Sequence, residues 1–571
     1  MRETTVVDAE IQHLESQLAR LAQGALDPEL FKKLRLQYGV YSMRRAPDSY
    51  MIRVRVPLGI ITPEQLEALA TACEQFTPAR QVHVTTRQDA QLYGVERGAV
   101  PAFLRGLSAA GLTTREASGN VVRNITLCPW AGVSREEPFD VTPYAQAISD
   151  YLLRNPLTQI LPRKVKIAFE GCPTDHARTQ IHDLGIVAAV QDGRRGFRIY
   201  AGGGLGPAPA AAKLLEPWTE AELLLPTIEA VLRVFERHGE RRNRARARLK
   251  FLIEQLGWEE FRQRVMAERP AVWATQSGYA LSALHLRDDA SPPVRACLSS
   301  THPAPEGFAR WSTTNIVPQK QPRLVSVIVR APCGDLSSAQ LRGLADVARR
   351  YAGGARLMNT QNVLLRFVPY AALPAVYEEL ERLGLAEAGA DRLADVTRCP
   401  GADSCLSAIT HPRGFAEAVD ALCRNGLSAW ADAPISIKIS GCPNACGQHH
   451  IADIGGFGVA VKVGERHVPC YQLLVGGGTA EESTQFGRRL LRVPAQRVPE
   501  AVKRIVMFYG EQKQPDEPFA SFIARIGLDP LKFLLQDLAE LNGAAQTPEL
   551  FVDLGETEPF APAAGKGECA E

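Results

Sequence analysis

The pattern of hydrophobic and polar positions divides the chain into two similar halves. From Tyr50, apolar side chains alternate with polar ones, which predicts a β-strand. A proline directly after Thr62 predicts the start of a helix. Two short strands and a second helix follow, so the predicted order is βαββα, and it returns from Leu324. The predicted strands lie at 50–57, 81–86, 91–95, 325–332, 355–360 and 363–368, and the predicted helices begin at 62 and span roughly 99–110 and 337–351.

Short motifs after each βαββα unit also recur in the same order along the chain. They include Cys-Pro pairs, an Asp-x-Gly segment and a run of three glycines. Matches in one order and at similar spacing indicate an internal duplication. We therefore predict two copies of one α+β module. The paired positions are Cys128 and Cys399, Cys172 and Cys442, Asp183 and Asp453, and the glycine runs 202–204 and 476–478.

Four cysteines of the second copy form two pairs with metal-ligand spacing. Five residues separate Cys399 from Cys405, and three separate Cys442 from Cys446. Four thiolates can hold a [4Fe–4S] cluster or a zinc ion, because soft sulfur suits both. Zinc sites usually use gaps of two to four residues, so the five-residue gap favours the cluster. A chance gathering of structural cysteines is the third alternative.

The first copy lacks half of this cysteine set. At the positions of Cys405 and Cys446 it has about Ser134 and His176. Only the second copy can therefore hold a four-cysteine cluster. We predict that the first copy forms the opposite wall of a site between the two halves.

Basic side chains of the first copy are predicted to form an anion pocket. Arg53 and Arg55 are two residues apart in a predicted strand, as are Lys164 and Lys166, so each pair is expected to share a face. Like charges on one face repel each other unless solvent or an anion lies between them. A basic run at 240–250 has two interpretations, a solvated helix face or a contact with an anionic ligand.

Composition indicates a globular protein from a reducing compartment. The chain has 571 residues, of which 45% are hydrophobic, and it lacks an apolar run long enough to span a membrane. Its formal net charge of +2 gives no reason to expect nucleic acid or a membrane surface as a partner. Twelve cysteines, four of them in metal-like pairs, and the lack of an apolar signal segment predict a cytoplasmic protein.

The motifs together resemble those of the sirohaem- and [4Fe–4S]-dependent nitrite/sulfite reductase family, over roughly residues 35–535. The resemblance implies an α+β fold that is internally duplicated. It has ferredoxin-like βαββα half-domains and two pseudo-symmetric mixed α/β domains that bind the sirohaem and the cluster. The matching motifs lie at 51–57, 85–88, 122–124, 161–166, 318–321, 399–405 and 440–446. The predicted domains are an N-terminal helical lead-in (1–44), a first half-domain (45–115), a first sirohaem-binding, substrate-side domain (116–280), a linker (281–320), a second half-domain (321–388), a second sirohaem and cluster domain (389–540) and a disordered tail (541–571).

The resemblance also implies roles for individual residues. The cluster would be bound by Cys399, Cys405, Cys442 and Cys446, and Cys446 would also be the axial ligand of the sirohaem iron. The substrate anion would be surrounded by Arg53, Arg123, Lys164 and Lys166. The residues implied in contacts with the sirohaem are Arg87, Gln88, Arg163, Lys320, Gln361 and Asn444.

The implied activity is the six-electron reduction of sulfite to sulfide, in sulfur assimilation. The Lys164-x-Lys166 pair resembles the sulfite-reducing branch, whereas the nitrite branch more often has Asn at the second position. The segments around Cys446 and Asp453 resemble the nitrite branch instead, so reduction of nitrite to ammonia stays open. A metal-stabilised scaffold without turnover is the non-enzyme alternative. No flavin or nicotinamide segment is evident, so a separate ferredoxin or flavoprotein subunit is expected to donate the electrons.

Overall fold

The computed structural model of the chain describes residues 2–275, 305–480, 483–541, 546–562 and 568. The helices are α1 (Arg2–Ala22), α2 (Pro28–Gln37), α3 (Pro63–Phe76), α4 (Val100–Ser108), α5 (Thr142–Leu152), α6 (Leu224–His238), α7 (Leu249–Leu256), α8 (Trp258–Thr275), α9 (Phe308–Asn315), α10 (Ser338–Tyr351), α11 (Leu373–Arg382), α12 (Pro412–Asn425), α13 (Val498–Gln512), α14 (Phe519–Ile526) and α15 (Asp529–Ala539). The strands are β1 (Val40–Ser42), β2 (Ser49–Val54), β3 (Ile60–Ile61), β4 (Gln81–Val84), β5 (Ala90–Glu96), β6 (Thr126–Leu127), β7 (Ile167–Glu170), β8 (Leu184–Gln191), β9 (Arg194–Ala201), β10 (Lys213–Glu220), β11 (Ile316–Pro318), β12 (Leu324–Val329), β13 (Asp335–Ser337), β14 (Gly354–Leu357), β15 (Val363–Pro369), β16 (Thr397–Arg398), β17 (Ile437–Ser440), β18 (Ile454–Val463), β19 (Arg466–Val475), β20 (Gly478–Ala480), β21 (Ser483–Gln485) and β22 (Arg488–Pro494).

Each half-domain has the predicted βαββα order. The first contains β2, α3, β4, β5 and α4, and the second contains β12, α10, β14, β15 and α11. The helices α3 and α10 begin in the same way. The side chains of Thr62 and Ser337 each accept a hydrogen bond from the backbone N–H three residues later, which satisfies a free donor of the first turn. The duplicated ferredoxin-like fold is therefore confirmed.

The two half-domains exchange one short strand each. Strand β3 of the first pairs with β14 of the second, with Ile61 opposite Ala355. Strand β13 of the second pairs with β4 of the first, with Asp335 opposite His83. Helix α3 packs on α10, and one apolar core runs through both half-domains. The two half-domains thus form a single body in which each completes the other's sheet.

The two mixed domains have five-stranded sheets of the same topology. In each sheet three parallel strands are followed by antiparallel ones, in the orders β6-β7-β8-β9-β10 and β16-β17-β18-β19-β22. Where the domains meet, Arg178 donates a hydrogen bond to Gln448, its counterpart in the second copy. Both residues have a left-handed backbone, with φ of 58° and 64°. The predicted pseudo-symmetry of the mixed domains is confirmed.

The cysteines follow the parallel strands of each sheet. In the first domain, β6 leads into Cys128 and β7 leads into the loop of Cys172. In the second domain, β16 leads into Cys399 and β17 leads into the loop of Cys442. Because the carboxyl ends of neighbouring parallel strands meet at one edge of a sheet, this topology brings each pair together.

The N-terminal lead-in is helical, as predicted. Ile11 and Leu14 of α1 are buried and pack into the half-domain core. Strand β1 ends the lead-in and extends the sheet next to β2. Among the helices of the described residues, none is both long and apolar enough to cross a membrane.

Two connecting segments are more ordered than predicted. Residues 305–320 of the predicted linker contain α9 and β11, and Trp311 is fully buried in the half-domain core, so the linker prediction is wrong there. Residues 281–304 of that linker lie outside the described residues. The prediction of a disordered tail is wrong for 546–562, because Leu550 and Phe551 pack against β19. A few apolar anchors can order a segment whose average composition is that of a tail. The remaining domain boundaries stay predictions.

Candidate active site

The cysteine loops of the second mixed domain bring four thiols together. Cys399 follows β16, and Cys442 and Cys446 lie in the loop after β17. The backbone N–H of Gly441 donates a hydrogen bond to the Sγ of Cys399 at 3.2 Å. Burial raises the pKa of the Cys442 thiol, and the charges of the other three cysteines raise it further. The thiols of Cys399, Cys405 and Cys446 therefore all lie within electrostatic reach of Cys442.

The spacing of these thiols does not match that around one zinc ion. Two thiolates bound to one tetrahedral zinc ion at ~2.3 Å stand about 3.8 Å apart. Within the described chain, no three of the four sulfurs lie within 4.8 Å of one another. A cube of four irons and four sulfides is larger than one ion and holds its cysteines further apart. The four-thiol donor set fits the predicted cluster.

Tight packing shapes the loop that carries Cys446. Ala445 has a left-handed φ of 58°, which turns the chain just before the cysteine. A Cβ at Gly447 would lie 1.9 Å from the carbonyl oxygen of Ile439, so this position requires glycine. Cys446 itself is exposed, whereas Cys399 is buried. The loop thus presents Cys446 outward from the cysteine set.

Cys446 borders the basic residues of the first copy. The hydroxyl of Thr86, in the turn between β4 and β5, donates a hydrogen bond to the carbonyl oxygen of Cys446 at 2.9 Å. Burial and nearby cations lower the pKa of Lys166 well below its usual value, while the charge of Cys446 acts in the opposite direction. The structure thus brings together a cysteine and a lysine that lie in different halves of the sequence.

Basic side chains next to Cys446 form a cluster that we call the basic wall. Burial is the main cause that lowers the pKa of Arg87 to about 10, and Arg123 and Arg53 add to the effect. All four predicted substrate-binding cations belong to the basic wall. Like charges in such a cluster repel each other, and the carboxylates of Asp89 and Asp183 offset part of this repulsion. The basic wall comprises Arg53, Arg87, Arg123, Lys164, Lys166 and Arg248.

Neutral groups orient two arginines of the basic wall. Arg123 donates hydrogen bonds from Nε to the carbonyl oxygen of Gly119 and from Nη1 to that of Ala117, both at 3.0 Å. The guanidinium of Arg53 lies 5.5 Å from the ring centre of Tyr41. Carbonyl oxygens and an aromatic face hold a guanidinium without cancelling its charge. The buried carboxylate of Asp89 lies within electrostatic reach of Arg53 and Arg87 and offsets part of their charge.

Arg55 has different surroundings from Arg53. Strand β2 ends at Val54, and Arg55 forms an isolated β-bridge with Thr113. Its side chain is buried, lies 3.6 Å from a carboxylate oxygen of Glu116 and donates to the hydroxyl of Ser149 at 3.2 Å. The charge of Arg55 is therefore compensated inside the protein. The expectation that Arg53 and Arg55 share a face stays a prediction.

Gln88 and Gln361 occupy equivalent turns of the two half-domains. Both have a left-handed backbone, with φ of 57° and 76°. The carboxamide of Gln88 donates to the carbonyl oxygen of Leu127 at 3.0 Å and accepts from its N–H at 2.8 Å. The Oε1 of Gln361 accepts from the N–H of Arg398 at 2.7 Å. Each glutamine thus fixes the strand before the first cysteine of one copy, and its predicted contact with the sirohaem stays a prediction.

The other predicted sirohaem contacts are held in different ways. Arg163 precedes Lys164 of the basic wall and donates to the Oδ1 of Asn120 at 3.4 Å. Lys320 forms an ion pair with Glu137 at 2.8 Å. Asn444 is exposed in the loop of Cys446. The roles of these three residues stay predictions.

Sequence reasoning missed Arg248 and Asp183 as part of this site. Arg248 donates to both carboxylate oxygens of Asp183, at 3.0 and 2.7 Å. Asp183 also accepts a hydrogen bond from the backbone N–H of Lys166 at 2.8 Å. The signals were present, because Asp183 recurs as Asp453 and Arg248 belongs to the basic run. Other residues of that run, such as Arg246, are exposed, and a contact of the run with an anionic ligand stays a prediction.

Two domain families match the chain, each of them twice. The "Nitrite and sulphite reductase 4Fe-4S domain" matches residues 118–271 and 389–540. The "Nitrite/Sulfite reductase ferredoxin-like half domain" matches residues 43–110 and 317–383. The chain belongs to the nitrite and sulphite reductase family. The double match of both families agrees with the internal duplication.

Known proteins of the nitrite and sulphite reductase family resemble nearly the whole chain. A ferredoxin–nitrite reductase of Synechococcus elongatus is 30% identical over 508 residues, which cover 87% of this chain and 93% of that protein. A protein of Mycolicibacterium paratuberculosis named sulfite reductase (ferredoxin) 1 is 28% identical, covering 85% of this chain and 83% of that protein. The solved structure of the NirA protein of Mycobacterium tuberculosis has a TM-score of 0.75 and 26% identity, covering 89% of this chain and 92% of that chain.

Membership in this family implies an oxidoreductase with a [4Fe–4S] cluster and a sirohaem. The site of this chain fits both groups. Four cysteines that act electrostatically on one another provide a donor set for the cluster, and the carboxylates of a sirohaem would offset the charge of the basic wall. The family favours an enzyme over a metal-stabilised scaffold. The assignment of individual ligands and substrate contacts stays a prediction.

Proposed function

We propose that this protein reduces sulfite to sulfide with six electrons. The observation that carries the proposal is the position of Cys446 against the basic wall, in which Lys164 and Lys166 lie together. Sulfite is a dianion when fully ionised, and a dianion gains more Coulomb energy from an added cation than a monoanion does. Two lysines beside two arginines therefore favour sulfite.

Different residues of the basic wall are assigned to substrate binding and to proton transfer. We assign Arg53 and Arg123 as clamps on the oxygens of the anion, because arginine stays charged at every working pH. We assign Lys164 and Lys166 as proton donors. Burial and neighbouring cations lower the pKa of Lys166, so this lysine gives up a proton more readily than one in water. Reduction consumes six protons as three waters leave (SO₃²⁻ + 6 e⁻ + 6 H⁺ → S²⁻ + 3 H₂O), and solvent restores the lysine protons.

The cofactors would be held by residues from both copies. Cys399, Cys405, Cys442 and Cys446 would hold the cluster, and Cys446 would also hold the sirohaem. When bound, the two groups would pass electrons from the donor to the substrate anion. The residues assigned to hold the sirohaem are Arg87, Gln88, Arg163, Lys320, Gln361 and Asn444.

Reduction of nitrite to ammonia is the second candidate. The similarity to a ferredoxin–nitrite reductase along 87% of this chain favours it. The same clamps and proton donors serve this reaction, which consumes two more protons and releases two waters (NO₂⁻ + 6 e⁻ + 8 H⁺ → NH₄⁺ + 2 H₂O). The two candidate activities differ in how strongly they depend on the charge of Lys166, because binding of a monoanion depends less on the second lysine than binding of a dianion.

We propose a ferredoxin as the electron donor, which is the donor named for the Synechococcus elongatus and Mycolicibacterium paratuberculosis relatives. A docking position beside Cys405 is supported by two arginines. Arg44 donates from its backbone N–H to the carbonyl oxygen of Ser404 at 3.0 Å, and its charge interacts with Cys405. Arg45 is largely exposed next to it. A flavoprotein subunit is the alternative donor, and we place the protein in the cytoplasm, where thiols stay reduced.

A side-by-side steady-state assay tests this proposal. The protein is purified anaerobically from cells that make sirohaem, and kcat/KM is measured for sulfite and for nitrite with reduced viologen as the donor. We expect a higher kcat/KM for sulfite. A higher value for nitrite would overturn the sulfite assignment in favour of the second candidate, and activity with neither anion would overturn both.

A further inference from the structure

A compact group of metal-ligand side chains lies in the first mixed domain, outside the active site. It consists of Cys128, Glu170, Cys172 and His176, and one ligand atom from each lies within 4.8 Å of the others. The Sγ atoms of Cys128 and Cys172 are 3.8 Å apart, and the Sγ of Cys128 is 3.8 Å from the Nδ1 of His176. We propose that this group binds a zinc ion.

The group occupies the place that corresponds to the cluster cysteines in the second copy. Cys128 and Cys172 correspond to the first cysteine of each pair there, and His176 corresponds to Cys446. The position of Cys405 has about Ser134 in this copy, so this copy cannot repeat the cluster. Its ligand atoms are instead drawn close together, whereas no three cluster thiols of the second copy lie within 4.8 Å of one another. The two copies thus offer sites of different sizes.

The distances within the group match those around one small ion. Thiolates at ~2.3 Å from a tetrahedral zinc ion stand about 3.8 Å apart, and a thiolate and an imidazole nitrogen stand at nearly the same separation. Both observed distances are 3.8 Å. Two sulfurs, one imidazole and one carboxylate form a donor set that zinc accepts. Four protein ligands also close the coordination sphere, which is typical of a structural site rather than a catalytic one.

Hydrogen bonds hold the ligands in this arrangement. Glu170 accepts from the backbone N–H of Cys172 and from that of Ala177, both at 2.7 Å. A carboxylate has about four acceptor positions, so these bonds leave room for a metal. Asn359 of the second half-domain donates to the carbonyl oxygen of His176 at 2.6 Å. These bonds orient the ligands without using the ligand atoms of the cysteines or the histidine.

The burial of its ligands distinguishes this group from a chance cluster of side chains on the surface. Cys128, Glu170 and Cys172 are all at most 2% exposed, while His176 is partly exposed and leaves a path for the ion. On binding, two Zn–S bonds form and the two thiol protons pass to solvent, with no change of oxidation state. The ion would join the end of β6 to the loop after β7, near the contact with Asn359. Zinc would therefore stabilise the domain that carries Lys164 and Lys166.

The test uses the full-length holoprotein, with zinc itself as the probe. Protein from zinc-supplemented cells is desalted, and zinc and iron are counted by mass spectrometry. X-ray absorption at the zinc edge then identifies the ligands. We expect about one tightly held zinc per chain, with two sulfur ligands at about 2.3 Å and the remainder nitrogen or oxygen. The double variant Cys128→Ser/His176→Ala should lose this zinc and keep its iron, whereas Cys73→Ser, at another buried cysteine, should keep both.

Three results would overturn the proposal. One is holoprotein without stoichiometric zinc after exposure to excess zinc and desalting. Another is zinc that stays equally bound in the double variant, since the ion would then lie elsewhere. The third is a disulfide between Cys128 and Cys172 in protein purified without oxidant. If the double variant does not fold, the ligand spectrum of the unmodified protein decides, because a zinc signal lacking two sulfurs contradicts the proposed site.

Discussion

The hydroxyl of Thr86 donates a hydrogen bond to the carbonyl oxygen of Cys446 at 2.9 Å. This bond joins a turn of the first half-domain to the cysteine loop of the second mixed domain. Arg87 of the basic wall follows Thr86 directly in that turn. The bond therefore fixes the distance between a proposed cluster ligand and the cations that would bind the substrate. Thr86 belongs to the first copy and Cys446 to the second, so this contact needs both copies.

Replacing Thr86 by valine should lower activity without removing the cofactors. A neutral hydrogen bond contributes about 1 kcal/mol, which corresponds to about a fivefold loss of kcat if the bond positions Cys446. Iron content should stay unchanged, because Thr86 is not a ligand. The variant Thr86→Ser keeps the hydroxyl and should retain most of the activity. Equal kcat values for Thr86→Val and the unchanged protein would show that the bond has no positioning role.

Replacing Cys446 by serine should abolish the electronic coupling between the cluster and the haem. A serine hydroxyl is a harder ligand than a thiolate and does not replace the shared sulfur. The matched control is Cys423→Ser, since Cys423 is buried in the core beside α12 and lies in no ligand pair. The check is the visible absorption spectrum with electron paramagnetic resonance of both variants. Equal spectral loss in the two would remove the assignment of Cys446.

Replacing Lys166 by asparagine should change the substrate preference. A hydrogen bond to a charged group contributes about 1.5–3 kcal/mol, so kcat/KM for sulfite should fall by about ten- to a hundredfold. The value for nitrite should fall less, because a monoanion depends less on the second lysine. The control Lys532→Asn changes an exposed lysine of α15 and should leave both values unchanged. A larger loss for nitrite than for sulfite would contradict the assigned role of Lys166.

Lys438 should make stability depend on pH. Burial and Arg178 lower the pKa of this lysine to about 7, although three aspartates act in the opposite direction. The folded pKa lies below the value of about 10.4 for an unfolded lysine. Between these values the unfolded chain binds more protons, so the contribution of Lys438 to stability increases as pH rises from about 7.

The variant Lys438→Met removes this titration and provides the comparison. The denaturation midpoint of the unchanged protein should rise relative to that of the variant between pH 7 and about pH 9. The midpoints are measured by thermal unfolding at several pH values with the same cofactor content. A constant difference between the two midpoints across this range would contradict the lowered pKa.

Local pattern predicted the repeated elements, because each depends on neighbouring residues. The helix start at Thr62 and the strands of both half-domains follow from alternation and capping, which are properties of a few consecutive side chains. The exchange of β3 and β13 did not follow, because pairings such as Ile61 with Ala355 join segments almost three hundred residues apart. No local rule selects such a partner strand.

The candidate site was predictable where residue type alone carries the chemistry. The cysteine pairs, Lys164 and Lys166 could be identified as candidates from the sequence, because a sulfur ligand and a positive charge are properties of the residue type. The contribution of Arg248 depends on Asp183, and that of Thr86 depends on a carbonyl oxygen of another domain, so neither follows from residue type. The ion pair of Arg55 could not be predicted from the strand pattern, because its partner Glu116 lies beyond the predicted strand. Contacts between distant segments decide these cases.

The most direct test of the account is an iron count and visible spectrum of the holoprotein. The protein is purified anaerobically from cells that supply sirohaem. We expect sirohaem bands in the red and near-ultraviolet and about five irons per chain, four from the cluster and one from the haem. A colourless preparation, or one with zinc bound by Cys399, Cys405, Cys442 and Cys446, would contradict it.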